Sequence, residues 1–423
     1  MENRRKSFLN EVTSQIRSKE AKEQVSAELN YHMKETKMRW VNKGYSDVDA
    51  EQKAIEQMGS PITLGIQLNK IHRPRIDWIL LALLTSVLLL GFLPVLSLGD
   101  DSNHYFLMRK MILVVLGMIV ALGLMFVDYR KLVRWGWVFY GVGILLLLSL
   151  LFFSSGTING KPFLLIGGLT IESIAALPFF MIAWACSFNR DTFKVYQFIL
   201  LFFVSLLLFF MIPSIATTYL YLAMVLSMLW WSKFSTRQKG VVSGITMGSL
   251  LLIGIFSWNY QSYFIKDRML GFLNPGKVAD GAGYQVLQIQ ELLSKAGWFG
   301  GNKSIQQFIP EAHTDFAFVS ITYHYGWIAA IFLILILLLI LTRVVIATQH
   351  VRDYFGKLLI IGSLSLLLFQ MVSNIGMAFG FFPLTSMSLP FISYGLVPIL
   401  LNAVLIGVVL SVYRRKDLTR SAL

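Results

Sequence analysis

Trp327-Ile-Ala-Ala-Ile-Phe-Leu-Ile-Leu-Ile-Leu-Leu-Leu-Ile-Leu-Thr342-Arg343 decides the fold. No charged side chain interrupts it, and a helix over 316–342 supplies the ~20 residues needed to cross a hydrocarbon core. Nine further runs have the same character, at 77–98, 107–127, 136–154, 171–188, 195–212, 216–231, 241–258, 357–380 and 392–413. Those at 171–188 and 216–231 are short. Across 423 residues the chain is 56% hydrophobic and 14% charged, with a mean hydropathy of +0.64. Soluble domains carry about a quarter charged residues, so this apolar surface belongs in lipid. The expectation is an all-α polytopic membrane protein of about ten transmembrane helices.

Charge is concentrated before the first span. Residues 1–72 read as a small cytoplasmic helical domain, distinct from the membrane domain at 77–415. Phe8, Val12 and Ile16, then Ala21, Val25, Leu29 and Met33, are spaced four apart as on amphipathic helices. Lys43-Gly44 ends that pattern, and Ser46 with Asp47 predicts an N-cap for a helix through Met58. Gly59-Ser60-Pro61 breaks again before a short helix over Ile62–Ile71. Met1 to Arg39 is charged throughout and has no apolar core of a cleavable signal.

Loop charges set the orientation. With the N-terminus inside, the cytoplasmic loops hold Arg130, Lys131 and Arg134; Arg190 and Lys194; Lys233, Arg237 and Lys239; and Arg343, Arg352 and Lys357. Arg414, Arg415, Lys416 and Arg420 follow in the tail. This bias predicts ten spans with both termini cytoplasmic. It also accounts for the net charge of +14 without nucleic acid as a partner. The single cysteine, Cys186, falls inside a span, where a thiol behaves as a small apolar group.

One connection stands apart. Residues 258–316 form a long polar loop between the seventh and eighth spans, with a helix-like pattern from Gln285 to Leu293. It ends in Pro310-Glu311-Ala-His313-Thr314-Asp315-Phe316. Desolvation at the bilayer edge raises a carboxylate's pKa and strengthens it as a base. Asp315 reads equally as such a base or as the N-cap of the following helix. Glu311, His313 and Asp315 alternate, so ligating one metal would need an extended strand, and no fourth ligand is evident. Beyond lie Asn374-Ile-Gly376-Met377 and Leu389-Pro390-Phe391-Ile-Ser393-Tyr394-Gly395, where Pro and Gly break helices at membrane depth. Such breaks are tolerated when buried in protein or lining a cavity, and Asn, Ser and Tyr beside them favour a cavity.

With these pieces in order, residues 77–415 resemble the SEDS family, the FtsW, RodA and SpoVE proteins of bacterial cell-wall synthesis. The resemblance also rests on Asp128-Tyr129-Arg130-Lys131, Asn159-Gly160-Lys161, Arg268, Phe272-Leu-Asn274-Pro275 and Gly281-Ala-Gly-Tyr284-Gln285. It implies an inverting glycosyltransferase of the bacterial plasma membrane that polymerises lipid II at the outer face. Asp315 would be the catalytic base, with Arg268 and Lys303 clamping the leaving pyrophosphate. Glu311, His313, Thr314, Gln285, Asn374, Ser393 and Tyr394 would contact substrate. A divalent cation (Mg or Mn) as helper and a class B penicillin-binding transpeptidase as partner follow from the same resemblance, as does contact with membrane lipids. Residues 1–72 are similar to the permease-prefix domain fused to Gram-positive membrane proteins.

The chain departs from the family pattern at several polar positions. Tyr323 and His324 stand where the family has two glutamates, and Ile171-Glu-Ser-Ile-Ala-Ala-Leu177 replaces a Gln-Pro-Ser-Glu segment followed by Lys. Pro162-Phe163, Pro213-Ser214, Gln307 and Leu396-Val-Pro398 differ likewise. Two other readings therefore stand beside polymerisation. One is a weakly catalytic scaffold or regulator of wall synthesis, and the other a transporter of the lipid-linked precursor.

Overall fold

The computed structural model describes residues 2–97, 100–158, 161–167, 169–260, 269–281, 283–301 and 311–418. It divides into two compact units. The first is Met1–Asp77 with His350–Asp353 and Val412–Leu423; the second is Trp78–Gln349 with Tyr354–Ser411.

Four helices build the first unit: α1 (Glu2–Ser14), α2 (Lys19–Val41), α3 (Asp47–Gln57) and α4 (Pro61–Ile71). Ser18 and Ser46 cap α2 and α3 by accepting the N–H groups of Ala21 and Asp49. Pro61 opens α4, where its missing N–H costs nothing. Phe8, Val12, Ile16, Val25, Leu29 and Met33 form the core, as their spacing predicts, and Leu418 from the far end of the chain completes it. Gly65 is required where α4 crosses α1, because a Cβ there would lie 2.6 Å from the Val12 carbonyl. The guanidinium of Arg415, 0% exposed, donates to both carboxylate oxygens of Glu20 at 2.8 Å, and Arg75 pairs with Asp417 at 3.1 Å. Residues from Val412 onward thus belong to the first unit, and the sequence boundary at 415 falls inside it.

The second unit is a helical bundle. Its helices are α5 (Trp78–Leu90), α6 (Leu93–Leu96), α7 (Asp100–Phe126), α8 (Gly136–Phe152), α9 (Leu177–Asn189), α10 (Val195–Met211), α11 (Ile215–Trp230), α12 (Thr236–Tyr260), α13 (Tyr284–Lys295), α14 (Ala317–His350), α15 (Tyr354–Ala378) and α16 (Leu396–Arg414). A helix occupies each of the ten predicted positions. Among the described residues, six helical segments are long and apolar enough to cross a membrane, and three more apolar helices are shorter. The latter include 171–188 and 216–231, the short runs of the sequence. The chain is a multi-pass membrane protein.

Two features were not legible in the apolar pattern. A three-stranded antiparallel sheet, β1 (Gly156–Ile158), β2 (Lys161–Ile166) and β3 (Leu169–Glu172), joins α8 to α9. In its register Ile158 faces Lys161, Phe163 faces Glu172 and Leu165 faces Thr170. Directly opposed residues share a face, and so do alternate residues along a strand, so Ile158, Lys161, Thr170 and Glu172 all project to one side. The second feature is a break in α14 at Gly326, whose φ is 87°. The long loop supplies the partners that the break requires. Trp327 N–H donates to Gly297 O, Ile328 N–H to Trp298 O and Gly301 N–H to Tyr323 O.

Only glycine fits this break. A Cβ on Gly326 would lie 2.2 Å from the Trp298 carbonyl, in a backbone region that L side chains avoid. Gly326→Ala is expected to destabilise the protein by more than ~2 kcal/mol. A thermal-unfolding midpoint in detergent unchanged from wild type would contradict this account.

Candidate active site

Asp315 sits two residues before the start of α14, where the long loop re-enters the bundle. It lines a cavity of about 190 Å³ with Glu311, Thr314 and Tyr394. The sheet forms the opposite wall through the face just described, with Ile158, Lys161, Thr170 and Glu172. The remaining lining comes from Ser386–Ser388, the start of α16 and α11. The cavity therefore gathers three carboxyl groups around one ammonium group.

Electrostatics single out Asp315. Burial pushes its carboxyl up to about 6, and Glu311 and Glu172 push in the same direction, while Lys161 and a hydrogen bond from Ser386 pull it down. Lys161 Nζ also donates to Ser386 O at 2.7 Å, which fixes the ammonium in the cavity wall. Burial holds the His313 imidazole below its ordinary range, so it is neutral at pH 7.

The segment between α15 and α16 supports Asp315 from beneath. Residues 379–395 are non-helical, yet Met387, Leu389, Phe391, Ile392 and Ser393 are buried. Asn374 Nδ2, from the last turns of α15, donates to Asp315 O at 2.8 Å and to Met387 O at 2.5 Å. Ser393 Oγ accepts Leu389 N–H at 2.7 Å and donates to Thr314 O at 2.6 Å. Tyr394 N–H donates to His313 O at 2.7 Å. The Thr314 hydroxyl bonds the Glu311 carboxylate. Among the described residues the non-glycine positions with positive φ are Glu311 (59°), Ser386 (51°) and Phe391 (66°). Glu311 and Ser386 line the cavity and Phe391 lies in the buried turn. Strain of this kind persists only where the surroundings over-determine it, and it clusters at functional sites.

The residues singled out in the sequence thus separate. Asp315, Glu311, Thr314 and Tyr394 meet at the cavity. Asn374 and Ser393 hold backbone beside it, and the His313 ring packs between Phe106 and Tyr394, with centroids 5.0 and 5.3 Å away. Gln285 is exposed at the start of α13 and is not among the cavity residues. Arg268 and Lys303 lie outside the described residues. Lys161 and Glu172 were missed as site residues. The signals that could have found them are Asn159-Gly160 and Gly167-Gly168 between runs of β-formers, two successive hairpin sequences whose register puts both on one face. Among the described residues no three His, Cys, Asp or Glu side chains gather as metal ligands. The divalent cation that the resemblance implied stays an expectation, and no step is derived through one.

A membrane bundle with a half-buried acid and a lysine in one cavity defines a polytopic membrane protein with a built polar site. The FtsW/RodA/SpoVE family, described as "Cell cycle protein", matches residues 74–418, and the chain belongs to that family. Among curated relatives, the probable peptidoglycan glycosyltransferase FtsW of Enterococcus hirae is 25% identical over 373 residues, which cover 81% of this chain and 93% of the relative. The stage V sporulation protein E of Bacillus subtilis (strain 168) is 25% identical over 328 residues, covering 74% and 88%. Among solved structures, a chain from a peptidoglycan synthase complex superposes with a TM-score of 0.69 at 24% identity, covering 81% of this chain and 98% of that one. The Thermus thermophilus rod shape determining protein RodA gives 0.59 at 23%, covering 81% and 97%. At these identities the structural matches establish the fold.

Asn374 joins the two segments that frame Asp315. Asn374→Leu keeps the volume but orphans two buried carbonyls, at about 1–3 kcal/mol each. The expected result is a clear drop in the thermal-unfolding midpoint, whereas Gln285→Ala, at an exposed position, should leave it in place.

Proposed function

We propose that the chain is a peptidoglycan glycosyltransferase that polymerises lipid II at the outer face of the bacterial plasma membrane. The observation that carries this reading is Asp315, a carboxyl held near neutrality in a cavity that also holds Lys161. Polymerisation needs a base for the acceptor's GlcNAc 4-hydroxyl as it attacks C1 of the donor MurNAc with inversion. A carboxylate of pKa about 6 is largely ionised at pH 7 and more basic than an ordinary aspartate. Negative charge develops on the departing undecaprenyl pyrophosphate, and a fixed ammonium such as Lys161 offsets it in the transition state. Arg268 and Lys303 are proposed to join it from the long loop. Glu311, whose carboxylate already accepts from Thr314, and Tyr394 shape the acceptor side. The names of the curated relatives support this class of activity.

Both termini are proposed to be cytoplasmic, since the basic loops then all fall inside. A crosslinking transpeptidase of the class B penicillin-binding type is the proposed partner. Support comes from the fold's likeness to a chain of a complex described as coordinating polymerization and crosslinking.

The test is glycan synthesis from lipid II by the purified full-length protein. Asp315→Asn is expected to lower the rate by at least about a hundredfold, the scale of general-base catalysis. Lys161→Met should lower kcat by about ten- to a hundredfold. The base works only when ionised, and its pKa is raised to about 6, so the wild-type rate should fall as pH drops through about 6 and level off above about 7. Wild-type protein that makes no polymer, or an Asp315→Asn variant as fast as wild type, would refute the assignment. Movement of labelled lipid II across liposomes without polymer would instead identify a transporter.

A further inference from the structure

A lysine outside the cavity has no role in the chemistry above. Lys110, on α7, is 0% exposed. Its Nζ donates to Ile392 O at 2.9 Å and to Ser393 O at 3.0 Å. Both acceptors are backbone carbonyls of the buried turn between α15 and α16. Burying an amine away from water is costly, and two neutral carbonyls repay only part of it. An apolar side chain of similar length would fill the same space more cheaply, so packing alone gives no reason for an amine here.

The turn is what the Lys110 amine holds. One helical turn earlier on α7, the Phe106 ring packs against those of His313 and Tyr394, at 5.0 and 5.5 Å between centroids. Phe106 and Lys110 thus grip neighbouring segments from one face of one helix. From Ser393 and Tyr394 the connection passes to Thr314 O and His313 O through the bonds described above. Asp315 is the next residue. A shift of the turn by a fraction of an ångström would move Tyr394 and Asp315 together relative to Lys161.

We infer that Lys110 is a positioning residue: by clamping the Ile392 and Ser393 carbonyls it fixes the 389–394 turn against residues 313–315 and so sets Asp315 and Tyr394 in the cavity. This inference rests on the polymerase reading, and the experiment separates the two. Lys110→Met removes both hydrogen bonds at similar volume, and Lys110→Gln keeps an amide donor. Each full-length variant is compared with wild type in lipid II polymerisation and in hydrogen exchange of peptides spanning 389–394 and 311–316. Lys110→Met is expected to lower kcat about tenfold or more, with KM within about threefold, and to move the pH inflection away from its wild-type position. Exchange should quicken in those two segments while α8, α9 and α11 keep their protection. Lys110→Gln should recover part of both effects. Unchanged exchange at 389–394 in Lys110→Met, or a loss of rate that only tracks the folded fraction with the pH inflection in place, overturns the inference. If Lys110→Met does not fold, Lys110→Gln carries the decision: slower turnover with local exchange supports positioning, and wild-type behaviour in both overturns it. Wild-type protein without polymerase activity defeats the enzymatic reading alone, because the exchange comparison still reports on the clamp.

Discussion

A peptide group buried among apolar helices has no water to bond, so each N–H and C=O left outside a helix needs a partner from the protein. That constraint governs the non-helical chain between α15 and α16, and the rest of the site follows from it. Asn374, Ser393 and Lys110 answer the demand from three directions, and two of them also engage the residues just before α14. The same groups that make an irregular segment tolerable at depth therefore tie it to Asp315, the acid that burial makes more basic. The break at Gly326 obeys the same rule, with the long loop as its source of partners.

Around this segment the bundle is built by close approach. Gly143 of α8 lies against the Phe180 ring, Gly136 against Cys186, and Gly407 of α16 against the backbone of Ala121 on α7. Helices in lipid gain little from burying apolar side chains against each other, so small residues that let backbones approach supply the packing. Buried hydroxyls add short links. Trp184 Nε1 donates to Tyr221, which in turn bonds Ser205, and Ser173 donates to Thr217. Ser173 and Thr217 adjoin the cavity wall, so the sheet that carries Lys161 and Glu172 is anchored directly to the helical frame.

Apolar runs were enough to place ten helices, because period and length alone distinguish a span. The N-cap at Ser46 and the core stripe of Phe8, Val12 and Ile16 were equally readable, since caps and amphipathic spacing are local. The site was legible only in part. Asp315 stood out by its place at a re-entry point, but the lysine opposite it comes from a strand more than a hundred residues earlier. No periodicity encodes that pairing; it arises when the hairpin register turns Lys161 and Glu172 to one face. Asn374 and Ser393 looked like substrate contacts because they are polar at depth. Asn374 Nδ2 and Ser393 Oγ bond backbone beside Asp315, an arrangement that depends on where a distant loop returns. Gln285 fell in a recognisable motif but lies on an exposed helix start.

The first unit imposes an order of assembly. Its core includes Leu418, and Glu20 takes the buried guanidinium of Arg415. As the chain leaves the ribosome the first four helices emerge early, but the side chains that close their core are made only after α16 has been synthesised. Until then the core of the four helices lacks the apolar side chain that closes it. The completed unit thus needs residues that follow α16, and a chain cut short of them would carry an unfinished, protease-sensitive N-terminal unit.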